Sequence, residues 1–184
     1  MPELDHLFET SAFFEAASWT DHVNMIAGRI IQQPELINDL WDIIQRGDET
    51  SWRAAWTMEK INDKRPEMIF SFLNDLITMV EQTNNNGLKR HFLKIISLHP
   101  LPEDLSGNFV DFCFRTLLSS DEPIAVRAHA MQILYNVCIK IPDLKNELVE
   151  SIESIQTEAS AGIIAKSRII LKKLNHPSHK PSIR

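Results

Sequence analysis

Four acid–apolar–apolar triplets recur at a fixed interval along this chain, and that interval limits the fold more than any other feature. They are Asp39-Leu40-Trp41, Asp75-Leu76-Ile77, Asp111-Phe112-Cys113 and Glu147-Leu148-Val149, with successive acids 36 residues apart. A constant period of this size is the mark of a repeat architecture, in which each unit is one supersecondary element stacked on its neighbours. The segments between the triplets repeat as well, in a looser register. Trp52-Arg53, Leu88-Lys89 and Val126-Arg127 each pair a large apolar residue with a base. Ala130, Ile133, Leu134 and Val137 find counterparts 37 residues later in Ser167, Ile170, Leu171 and Leu174.

The repeated element reads as a helical hairpin. Apolar residues fall at helical spacing, as in Leu36, Ile37, Leu40, Trp41 and Ile44. The chain contains only five glycines in 184 residues, which argues against a turn-rich β-protein. Helices are expected over about 3–17, from residue 20 or 21, over 34–45, from residue 50 or 51, and over 66–82. Further helices follow over 88–98, 103–118, 123–140, 142–155 and 160–174. Gly47 is placed to end one helix. Asn84-Asn85-Asn86-Gly87 reads as a turn, because asparagine and glycine tolerate positive φ. Connections this short force neighbouring helices antiparallel. The expectation is one helical-repeat domain over 1–184, with 176–184 a flexible tail containing Pro177 and Pro181.

A loop acid followed by Val126-Arg127, Ala128 and Ala130, then Ile133-Leu134, resembles the first helix of a HEAT repeat. Asp48-Glu49 before Trp52-Arg53-Ala54-Ala55 resembles another. The resemblance spans about residues 20–175, with a period shorter than the ~40–47 residues usual for that repeat. The tryptophan and Leu-Gly pattern of tetratricopeptide repeats and the ankyrin Thr-Pro-Leu-His are missing. The resemblance implies an all-α fold of HEAT or armadillo type, an α-α superhelix forming a right-handed solenoid of about five helical hairpins. It also implies a non-enzymatic scaffold for protein–protein interaction.

The acidic row Asp39, Asp75, Asp111 and Glu147, extended by Glu150, admits two readings. In HEAT-like proteins acids and arginines form ladders between repeats, and Arg53, Lys89 and Arg127 are available partners. In HEAT-like stacks the second helices also line the concave face. The same acids would then form a negative surface for a protein or peptide, preferably a basic one. The chain as a whole is acidic, with a formal net charge of −6, which disfavours grasping phosphate. One alternative remains from the family resemblance: HEAT-like DNA alkylation-repair glycosylases hold DNA with tryptophans, an aspartate and bases, and Trp52, Arg53 and Trp56 are similar in that loose sense.

Other signals are weak. Phe109, Phe112 and Phe114 read as buried between repeats, and Trp52 and Trp56 as core. Cys113 and Cys138 sit in apolar helical patterns and read as buried thiols in a reducing, cytoplasmic setting. Lys166, Arg168, Lys172 and Lys173 make the last helix basic. His176 and His179 lack further metal ligands and read as coincidence. No phosphate loop, nucleophile elbow or zinc-type cysteine pair is present, so no catalytic, cofactor or metal residue is assigned. No window reaches the ~18 apolar residues of a membrane span.

Overall fold

A computed structural model describes residues 4–8, 18–156 and 160–175. They form ten α-helices and two 3-10 segments, and no strand occurs among them. In chain order the helices are α1 (Asp5–Phe8), α2 (Trp19–Gln32), α3 (Leu36–Gln45), α4 (Ser51–Lys64) and α5 (Leu73–Gln82). Then come α6 (Asn86–Leu98), α7 (Gly107–Leu118), α8 (Ile124–Lys140), α9 (Lys145–Ile155) and α10 (Ala161–Asn175). Most of the expected helix 3–17, and all of the expected tail 176–184, lie outside the described residues.

Local chemistry sets the helix ends. Ser18, Asn85 and Ser106 each accept a backbone N–H of the first turn of α2, α6 and α7. Asp48 does the same for α4, its Oδ1 accepting Thr50 N at 2.8 Å and Ser51 N at 3.2 Å. Burial alone would raise the Asp48 pKa, but these bonds outweigh it and hold the carboxyl below its usual value. Gly47 adopts φ +68, a left-handed conformation that costs glycine nothing.

Four expected elements need correction. The segment 66–82 is not one helix: a 3-10 segment (Pro66–Phe72) leads into α5, and a shorter one (Pro142–Leu144) leads into α9. Each starts at a proline, which fixes φ and supplies no N–H to the first turn. The stretch 84–87 is not a positive-φ turn. Asn85 caps α6, and Gly87 lies inside it, where a Cβ would come within 3.1 Å of the Trp52 Cβ. The helix expected from residue 103 begins at Gly107, after the Ser106 cap.

The chain divides into two compact units, residues 1–99 and 100–184. In the first, the first-layer helices α2, α4 and α6 pack in succession, with α3 against α4 and α5 against α6. Leu40, Ile43, Ile44, Met58, Ile61 and Phe92 are fully buried there. Two contacts fasten α1: Arg46 donates to both Asp5 carboxylate oxygens at 2.6 and 3.1 Å, and His22 Nε2 lies 2.8 Å from the Leu7 carbonyl. In the second unit α7 packs on α8 and α8 on α10, with α9 against all three. Phe109, Leu117, Ile133, Leu148, Ile152, Ile163 and Ile170 form its core. Each such side chain contributes about 1.5–3 kcal/mol on burial. Phe112 and Phe114 are buried as expected, as are both cysteines.

Candidate functional site

The acidic row lies on the second helix of each hairpin. Asp75 and Glu147 occupy the third position of α5 and α9, and Asp39 the fourth of α3. A carboxylate in the first turn faces the positive end of the helix dipole, which stabilises it by about 0.3–1 kcal/mol. This placement also leaves the acid beside the buried stripe, not within it. The next residue, Leu40, Leu76, Phe112 or Leu148, is buried in every copy. Asp75, Asp111, Glu147 and Glu150 are exposed, and Asp39 is half-buried. Asp111 accepts from Arg115 Nε at 2.8 Å, one turn along the same helix, and both side chains are open to solvent. Asp75, Glu147 and Glu150 make no hydrogen bond or ion pair with any described residue.

Two of the bases expected to pair with the row make other contacts. Arg53 is buried, its guanidinium 4.9 Å from the Trp19 ring centre and 5.0 Å from that of Trp52. Arg127 Nε donates to the Leu117 carbonyl at 2.9 Å, joining α8 to α7. Lys89 is half-buried on α6. Trp52 and Trp56 are half-buried instead of core, and their rings stack at 6.3 Å. Trp56 in turn stacks on His91, also at 6.3 Å.

Side-chain ties also join successive first helices, and sequence reasoning missed them. In the first unit Glu59 on α4 is buried and takes two partners from α6. His91 Nδ1 lies 2.6 Å from one carboxylate oxygen and Lys94 Nζ donates to the other at 2.5 Å. Lys94 also reaches Asp63 at 3.6 Å. Burial alone would push the Glu59 carboxyl up. The hydrogen bonds and positive charge of His91 and Lys94 override it and hold the pKa at about 2. A second tie joins His99, after α6, to the Asn62 side chain on α4, with Phe70 edge-on to the imidazole at 5.2 Å. Burial lowers the His99 pKa, favouring the neutral ring.

The second unit repeats the first tie in altered form. Lys166 on α10 donates to Gln132 Oε1 on α8 at 2.7 Å. The spacing from acceptor to lysine is 34 residues here and 35 for Glu59 and Lys94, close to the repeat period. That spacing was the available signal. Here an amide stands where the first unit has a carboxylate. Burial, together with the charge of Lys173, lowers the Lys166 pKa.

The remaining candidates give no chemistry. Burial, with the nearby Glu147 charge, pushes the Cys138 thiol up to about 11, which removes it as a nucleophile near neutrality. Among the described residues no three His, Cys, Asp or Glu side chains converge as metal ligands, and no helix is long and apolar enough to cross a membrane. His176 and His179 fall outside those residues.

The chain combines a helical hairpin repeated at 36 residues, first helices packed in succession within each unit and acids on the second helices. A family model described as a HEAT repeat domain matches residues 15–174. The chain belongs to the HEAT repeat domain family. No curated protein and no solved structure matches it. HEAT repeats generally mediate protein–protein interaction and typically serve as non-enzymatic scaffolds. In this HEAT repeat domain ties such as Glu59–Lys94 join successive first helices, and Asp75, Asp111, Glu147 and Glu150 lie exposed on second helices.

Proposed function

We propose that this HEAT repeat domain is a non-enzymatic, cytoplasmic scaffold that binds a basic protein or peptide. The contact residues are Asp39 and Asp75 in the first unit and Asp111, Glu147 and Glu150 in the second. One observation carries the reading: Asp75, Glu147 and Glu150 are exposed on second helices and, among the described residues, engaged by no hydrogen bond or ion pair. Carboxylates that tie a repeat stack together would be buried against partners, as Glu59 is. The weak, solvated pair with Arg115 leaves Asp111 open to exchange for a partner's base. A cytoplasmic setting accords with two buried thiols that form no disulfide. The DNA-repair alternative draws no support from Arg53, which is buried against Trp19 and Trp52 instead of offered to phosphate.

Titrating the intact domain with lysine- and arginine-rich peptides, and separately with duplex DNA, tests the reading. Peptide binding is expected to weaken as salt rises, with no comparable DNA binding. Peptide affinity indifferent to salt, or a preference for DNA, would overturn it.

A further inference from the structure

We propose that the outward face of α10 docks a second copy of this chain, through the acidic α9 face of that copy. This rests on the preceding reading of α9 as a surface for a basic partner and names one such partner. Helix α10 carries Lys166, Arg168, Lys172 and Lys173 and no acid. Two of these bases are engaged within the unit, Lys166 by Gln132 and Lys173 over the Tyr135 ring at 5.3 Å. Arg168 and Lys172 are not: they lie one turn apart, exposed, with no hydrogen bond or ion pair to any described residue. Ile169 sits beside them at 52% exposure, so the face combines an apolar centre with basic flanks.

The complement lies on the same unit. Asp143, Glu147, Glu150 and Glu153 are all exposed on α9 and its leading turn, against the single base Lys145. Ile139 and Ile141, at 65% and 47% exposure, stand at the head of this stretch. Helices α9 and α10 are neighbours, yet no ion pair joins them. The two faces therefore do not neutralise each other within one molecule. A basic face with an exposed isoleucine and an acidic face preceded by two others fit each other between molecules. Because the patches differ, the contact is heterologous: each added copy leaves one face of each sign open. Complementary charge of this kind sets association rate and salt sensitivity.

Sedimentation velocity of the intact chain over a concentration series tests this. At low salt the weight-average mass is expected to rise with concentration, and at high salt to return towards the single-chain 21.2 kDa. Arg168→Glu/Lys172→Glu and Glu147→Lys/Glu150→Lys are each expected to stay monomeric with unchanged helical circular dichroism. An equimolar mixture of the two is expected to reassociate, because the reversed faces match. A wild type that is monomeric throughout, association insensitive to either reversal, or a mixture that stays apart would overturn the inference. Arg168→Glu/Lys172→Glu also separates this inference from the function proposed above. If wild type and this variant are both monomeric and both bind a lysine-rich peptide, self-docking fails and the basic-partner reading stands.

Discussion

Glu59–Lys94 and Gln132–Lys166 are one tie made twice, once with a buried charge and once without. In the first unit the carboxylate accepts from a lysine and contacts a histidine that is stacked on Trp56. In the second a neutral amide accepts from the lysine alone. The consequences for the lysine differ in kind. Lys94 faces two acids, Glu59 and Asp63, whereas Lys166 is half-buried and its charge is disfavoured. The repeat thus conserves a position and a reach, not an ion pair. An inter-repeat tie needs one long donor and one acceptor at the right height on adjacent first helices, and charge on the acceptor is optional.

Deleting the acceptors breaks the comparison most strongly. Glu59→Ala leaves Lys94 and His91 facing a buried void, and is expected to cost about 3–5 kcal/mol. Gln132→Ala removes one hydrogen bond and is expected to cost about 1 kcal/mol. Denaturant unfolding measures both, and equal losses would show that the charge on Glu59 does not matter. The next contrast is between two glycines at the second position of first helices. Gly87→Ala puts a Cβ 3.1 Å from the Trp52 Cβ, which is fixed to α4, and is expected to cost about 1–3 kcal/mol. Gly162→Ala meets the Ile124 Cγ2 at 3.2 Å, on an exposed side chain that can turn away. Its effect is expected to stay within about 1 kcal/mol of zero, since alanine favours the helix.

The two ties should also differ in pH dependence. Glu59 has a folded-state pKa of about 2 against an ordinary 4.5. Its ionised form therefore stabilises the fold above about pH 4.5, and that contribution fades as pH falls towards 2. Lys166 behaves in the opposite sense. Its folded-state pKa is lowered, so the fold binds fewer protons than the unfolded chain just below 10.5, and stability rises with pH there. Comparing acid unfolding of wild type and Glu59→Gln isolates the first effect. An identical acid limb in both would refute it. Gln132→Glu gives the second unit the first unit's chemistry, and is the smallest of these effects. It is expected to raise the Lys166 pKa and to add no more than about 1 kcal/mol of stability.

The repeat and most helices were legible because they depend on local, periodic information. The apolar stripe of α3 is one example, and Gly47 ending that helix another. The 3-10 entries at Pro66 and Pro142 were misread because proline is compatible with either helix type in a first turn. Gly87 was misread because its requirement is set by Trp52, 35 residues away, not by its own φ. The acidic row was visible as a pattern, but its exposure was not, since an acid in a first turn can face solvent or a neighbour. Glu59 was hidden for the converse reason. A buried acid looks like any other acid until its partners 32 and 35 residues on are brought beside it.

Ties such as Glu59–Lys94 join successive first helices, and in the function proposed above exposed acids of the second helices engage a basic partner. The direct test is the triple variant Asp75→Asn/Glu147→Gln/Glu150→Gln, followed by calorimetric titration with an arginine-rich peptide and by denaturant unfolding of the same preparation. Peptide affinity is expected to fall about tenfold, or about 1.4 kcal/mol, with the unfolding midpoint almost unchanged. Unaltered affinity, or a sharp loss of stability with or without loss of binding, would contradict that division of labour.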